Sequence, residues 1–225
     1  MGAVPRMGSI NSLENIMKRA VIVALFSLAS LSIQAAEQVR SVTPFKTIDS
    51  QGPVSLVVEV GKAYSLRVEG NQKFIDRVKT EVVNGELRLS FADKNSKNVN
   101  IDDAERVVVT MPELTSFRGE GAGLMILNNV RTERFDVNYR GAGSLQMNGK
   151  VGQLRLNAEG VGEVDAKALI AQDADVTFRG IGDVSVHATN KLNASVQGLG
   201  NLTYYGKPAS VSKSVSGIGN VTAAK

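Results

Sequence analysis

The chain has 225 residues, 43% hydrophobic and 21% charged, with 22 Gly, 5 Pro, one His, no Cys, no Trp and a formal charge of +4. That apolar content supports one domain, or two small ones, with a core, and it excludes a disordered or collagen-like chain. Without Cys there is no disulfide framework, thiolate zinc site, iron–sulfur cluster, cysteine nucleophile or acylated lipoprotein cysteine, and His187 alone excludes a site needing two imidazoles.

Residues 17–36 read MKRAVIVALFSLASLSIQAA. Lys18 and Arg19 precede an apolar run from Ala20 to Leu31, and small residues follow, with Ala35 or Ala36 suited to cleavage. This is the layout of a secretory signal peptide. A spanning helix needs about 20 apolar residues, so no stable membrane span is expected once the leader is removed. Met1 to Ile16 is patternless, either an extended leader or a mis-started stretch, with Met1, Met7 and Met17 as candidate starts. Residues 1–36 are therefore read as leader and the protein as exported, to the periplasm or beyond. Removing them takes away Arg6, Lys18, Arg19 and Glu14, which leaves the rest nearly neutral. A nucleic-acid partner needs a concentrated basic footprint, and none is expected here.

Residues 37–112 are read as an N-terminal β-rich part. Val54–Val60 and Tyr64–Glu69 flank Gly61-Lys62 and predict a hairpin. Glu81–Val83 and Glu86–Phe91 flank Asn84-Gly85, a strong hairpin signal. A helical turn is expected at Phe74–Val78, a polar loop at Asp93–Asp103, and a strand at Arg106–Met111 stopped by Pro112. Together these predict a β-meander that covers the first turn of the C-terminal half and hides its open edge.

Residues 113–225 carry a repeat. Gly-x-Gly recurs at Gly121, Gly141, Gly160, Gly180, Gly198 and Gly217, in steps of 20, 19, 20, 18 and 19 residues. Positions six, four and two before each first glycine are mostly apolar, for example Phe135, Val137 and Tyr139, and those between them are polar. Such alternation marks a strand with one buried face. An apolar residue always separates the two glycines, which predicts a one-residue slip of the inward phase and a corner there. Asn128-Asn129, Gly149-Lys150, Thr189-Asn190 and Gly206-Lys207-Pro208 predict a second corner. A unit this small cannot bury its own face, so successive turns must stack. The fold class expected is all-β: a β-helix or β-solenoid of about 19-residue Gly-x-Gly rungs.

Stacking orders the residue before each triplet: Glu120, Arg140, Glu159, Arg179, Gln197, Ser216. Each Arg is expected between two acids, whereas Glu163 and Asp183 would form a like-charge contact followed by Asn201 and Asn220. The C-terminal edge is expected to be open, with self-association as one consequence and Lys213 and Lys225 as deterrents.

The chain resembles the head GIN domain family, described as auto-transporter adhesins. The resemblance rests on Gly217-Ile218-Gly219-Asn220, on Gly180-Ile181-Gly182-Asp183 and on Gly198-Leu199-Gly200-Asn201. Phe45 to Ile48, Val83 to Leu89 and Val109 to Leu114 extend it over residues 40–222. It implies an exported β-helical domain and transfers no binding residue. Many relatives carry a lipid-anchored cysteine, which this chain lacks.

No catalytic, cofactor-binding or metal residue is assigned. No triplet completes the dinucleotide fingerprint or opens a helix. Glu163, Asp183, Asn201 and Asn220 could make at most one weak cation site. Asp165 with Asp183, or Asp173 with Asp175, are the carboxylate pairs that glycoside hydrolysis would need, but short regular turns leave little room for a cleft. His187 falls on the outward phase. The function expected is an exported, non-enzymatic domain presenting a surface to an unknown macromolecular or surface ligand. The alternatives are a β-helix-type carbohydrate-active enzyme and a self-associating envelope protein.

Overall fold

Alternating apolar and polar side chains favour extended backbone with one buried face, and the computed structural model shows this almost throughout. It describes Gly2 and residues 36–92 and 105–224. The leader, apart from Gly2 and Ala36, the whole polar loop predicted at Asp93–Asp103 and the terminal Lys225 lie outside the described residues. The elements are β1 (Ala36–Arg40), β2 (Thr47–Gln51), β3 (Ser55–Val60), β4 (Ser65–Gly70), α1 (Gln72–Arg77), β5 (Val78–Val83), β6 (Glu86–Phe91), β7 (Arg106–Met111), β8 (Ser116–Tyr205) and β9 (Ser210–Ala223). They form one mixed sheet that does not close, in the order β1-β4-β7-β3-β8-β2-β6-β5, with β9 also paired to β8.

A straight strand of the length of β8 would reach about 300 Å at ~3.3 Å per residue. Instead β8 bends back past itself. Asn148 Nδ2 donates to Asn128 Oδ1 at 2.6 Å and Asn157 Nδ2 to Asn138 Oδ1 at 3.2 Å. β9 runs parallel to the end of β8, from Lys191 beside Ser210 to Tyr204 beside Ala223. Residues six, four and two before the glycines face inward: Phe135, Val137, Leu154 and Leu156 are fully buried, and Tyr139 and Phe178 nearly so.

The glycines stand where a side chain would have no room. A Cβ on Gly141 would run into the carbonyl of Gly121, and one on Gly160 into that of Gly141. The same overlap joins Gly180 to Gly160, Gly198 to Gly180 and Gly217 to Gly198. Gly160 also has φ 129°, a conformation that L side chains rarely adopt. The predicted slip of the inward phase is absent. Buried residues lie two before and four after the first glycine, as with Phe178 and Val184, and the residue between the glycines points out. Val161, Ile181, Leu199 and Ile218 are all exposed. The first glycine of each triplet has a positive φ, and the buried face does not change across it.

Two expectations for the first half need correction. β3 and β4 do not form a hairpin: β7 lies between them, parallel to β3 and antiparallel to β4. Gly61 and Lys62 donate their backbone N–H groups to Met111 O, so the link bends around the end of β7. Nor is the region a simple meander over an edge. β2 pairs parallel with Ser116–Glu120 and β3 with Met125–Asn128, so both extend the pairing of β8. Gly52 supplies the corner between them, and a Cβ on Gly121 would strike its carbonyl. The hairpin at Asn84-Gly85 does form, pairing β5 with β6 antiparallel. Asn84 and Gly85 have φ 52° and 77°, the positive pair that a tight two-residue turn requires. Asn71 caps α1 by accepting from the Phe74 N–H at 2.9 Å, and the helix buries Phe74 and Ile75.

Gly160→Ala should cost about 3 kcal/mol or more, because neither backbone can retreat. Gly85→Ala, with open space around it, should cost only about 1 kcal/mol through its positive φ. Urea unfolding of the two variants provides the comparison.

Candidate binding face

The strand segments ahead of the glycines turn alternate side chains outward, and the register lays these into files. β6 sets Arg88 beside Asp49, and β2 sets Asp49 beside Arg118 and Gln51 beside Glu120. Glycine-to-glycine contacts carry the same register onward. The file three residues before each first glycine therefore continues from Arg118 through Asn138, Asn157 and Thr177. The file one residue before continues from Glu120 through Arg140, Glu159 and Arg179.

An open depression of about 400 Å³ lies over these files, lined by Arg118, Gly119, Glu120, Asn138, Tyr139, Arg140, Asn157, Ala158, Glu159 and Arg179. A second, of about 260 Å³, is lined by Asp175, Thr177, Asn193, Ser195, Ser212 and Ser214 among others. The register sets Thr177 next to Asn157, so the two adjoin.

The charge ladder forms in part. Arg140 Nη2 donates to Glu159 Oε2 at 2.9 Å. Arg179 Nε donates to Gln197 Oε1 at 3.1 Å, the amide that follows it in the file. Arg118 Nη1 stands 3.7 Å from Asp49 Oδ2, which also accepts from Gln51 Nε2 at 3.1 Å. Asp49 is buried, whereas the side chains of Arg118 and Arg140 remain 59% and 66% exposed. A guanidinium has five donors, so these contacts leave most of them unused within the protein.

Beneath the depression Tyr139 is 5% exposed, between the small residues Gly119 and Ala158 in the same inward file. Its hydroxyl has no protein hydrogen-bond partner, and burial raises its pKa above the ordinary tyrosine value.

The four aspartates of the carboxylate pairs expected from the sequence each have partners of their own. Asp165 Oδ2 lies 2.8 Å from Lys167 Nζ, and this contact raises the lysine's pKa. Asp173 accepts from Asn190 and Asp175 from Asn193. Asp183 accepts from Asn201 at 3.1 Å. His187 Nδ1 lies 3.2 Å from Lys167 O on an outward, half-buried position. Among the described residues no group of three His, Asp or Glu could hold a metal ion, and no helix is long and apolar enough to cross a membrane.

Residues 44–208 match the family model described as "Putative auto-transporter adhesin, head GIN domain". The chain belongs to the head GIN domain family. A crystal structure of a putative adhesin from Bacteroides fragilis is similar to this head GIN domain, with 23% identity and a TM-score of 0.66 over 86% of this chain and 98% of that one. A putative adhesin from Parabacteroides merdae (15%, TM-score 0.49) and a putative lipid binding protein from Parabacteroides distasonis (20%, TM-score 0.46) each match over 86% of this chain and 98% of theirs. Among curated proteins none matches.

No site was legible in this head GIN domain before its register was known. Arg118 escaped notice because nothing marks it until it is placed one file over from Arg140. Counting back three residues from each glycine would have found it, with Asn138 and Asn157.

Arg140→Ala should change stability by no more than about 1 kcal/mol, since exposed pairs contribute little. Tyr139→Phe should be neutral or stabilising by about 1 kcal/mol, because it removes an unpaired buried hydroxyl. Above pH ~10 the unfolded chain releases the tyrosine proton before the folded one, so the wild type should lose stability there. Urea midpoints at pH 9 and pH 11 should show a smaller loss for Tyr139→Phe.

Proposed function

We propose that this is an exported, non-enzymatic binding domain of the cell envelope, or a secreted one, that engages a surface or macromolecular ligand through the face bearing Arg118, Arg140 and Arg179. Residues 113–225 are its β-solenoid of about 19-residue rungs, residues 37–112 its N-terminal β-rich part, and residues 1–36 its leader. The rungs are supported by the file of glycine contacts and by the parallel register of β9 on β8. The adhesin description of the family supports surface binding and an exported or cell-surface setting, and its names are not those of enzymes.

The observation that carries this reading is the open depression in which three exposed guanidinium groups share a shallow polar floor. A shallow face suits a large partner, whereas an enzyme of the β-helix type would need two carboxylates around a cleft; of the two beside this open depression, Glu120 and Glu159, the second is ion-paired with Arg140. Here Asp165, Asp173, Asp175 and Asp183 are each held by a lysine or an amide.

Protein from the exported fraction should bind intact cells or their shed surface material. The triple variant Arg118→Gln, Arg140→Gln, Arg179→Gln should weaken binding at least about tenfold, equivalent to 1.4 kcal/mol. Lys207→Gln, away from the face, should leave it unchanged. Equal binding by the triple variant and the wild type, or turnover of a polysaccharide, would refute the reading.

A further inference from the structure

In the file one residue before each glycine the sign of charge alternates strand by strand, from Glu120 to Arg140 to Glu159 to Arg179, before turning neutral at Gln197. Adjacent strands stand ~4.8 Å apart, so each sign recurs every ~10 Å along the stack. The neighbouring file offers amides and a hydroxyl at Asn138, Asn157 and Thr177. With the adjoining second depression these form an open polar track that crosses the strands.

A track in this direction suits an elongated, hydroxyl-rich polymer. A sugar in an extended glycan advances by about the width of one strand, so a disaccharide spans two. An extended peptide advances only ~3.3 Å per residue and falls out of step with strands ~4.8 Å apart. On the binding reading of this face, we propose that the ligand is a linear glycan with one acidic group per disaccharide. Its carboxylates or sulfates sit on Arg140 and Arg179, and the neutral sugars between them pass over Glu159 and Asn157.

Each part of the alternation has a task. Outward-facing guanidinium donors form charge-assisted, two-point hydrogen bonds with a carboxylate or sulfate. Glu159 accepts from the hydroxyls of a neutral sugar and repels an acid in the same place. A glycan acidic at every sugar meets Glu120 and Glu159 with like charge, and a neutral glycan leaves the arginines without an anion. The face thus discriminates in both directions.

The test measures binding of the full exported protein to four probes at one ionic strength: hyaluronan octasaccharide, oligogalacturonate, chitin oligosaccharide and a polyglutamate peptide. Hyaluronan should bind at least about tenfold tighter than the other three. Arg140→Gln and Arg179→Gln should each weaken it about fivefold or more, with no change in Lys207→Gln. Glu159→Gln should strengthen oligogalacturonate binding several-fold, a gain that no folding defect can mimic. Equal affinity for chitin oligosaccharide and hyaluronan, tightest binding to oligogalacturonate or the peptide, or no gain in Glu159→Gln would each overturn the glycan assignment. Arginine-dependent binding to cells with no affinity for any of the glycans would overturn this assignment and leave the binding face standing. Binding to cells that ignores the arginines would overturn both.

Discussion

Glycine backbones in neighbouring strands leave no room between them for a side chain. Gly121, Gly141, Gly160, Gly180, Gly198 and Gly217 follow one another so tightly that a methyl group at any of the later five would overlap the carbonyl of the one before. A parallel companion file runs through Gly123, Gly143, Gly162, Gly182, Gly200 and Gly219. Between these two fixed lines a neighbouring strand cannot slide by one residue without placing a side chain where only hydrogen fits. The register of the buried columns, and of everything facing solvent, derives from that constraint.

Side chains on the surface add order at low energetic cost. Asn128 with Asn148, Asn138 with Asn157, Asp175 with Asn193 and Asp183 with Asn201 are pairs between equivalent positions. An amide presents both a donor and an acceptor, so it can bond to a like residue above or below, which a carboxylate cannot do. Such contacts stabilise each strand pair by roughly 0.2–1 kcal/mol. Their greater effect is to hold the outward groups in straight files, so that a short segment of surface presents a regular pattern of charge.

How much was legible in advance depended on how local the signal was. The alternation around Phe135, Val137 and Tyr139 and the recurrence of Gly-x-Gly could be read directly, because burial and corner geometry act within one turn of chain. The turn at Asn84-Gly85 was legible for the same reason. The hairpin expected at Gly61-Lys62 failed because β7, some 45 residues further on, offers both neighbouring strands a better edge. The part played by Gly52 was hidden because Pro53 and Val54 come after it where the later corners have a second glycine. The proposed binding face could not be read from any single segment, since Arg118, Asn138 and Asn157 are neighbours only across strands.

Lys213 gives β9 a property of its own. It occupies the inward column that Phe117, Val137, Leu156, Val176 and Ala194 fill with apolar groups. Its ammonium lies 4.9 Å from the centre of the Tyr204 ring and donates to Val221 O at 3.1 Å, while the residue stays exposed. Any strand laid against the outer side of β9, from this chain or another, would have to strip water from that cation. The same strand exposes Val211 and Val215, so a strand laid there would cover apolar groups and an ammonium together.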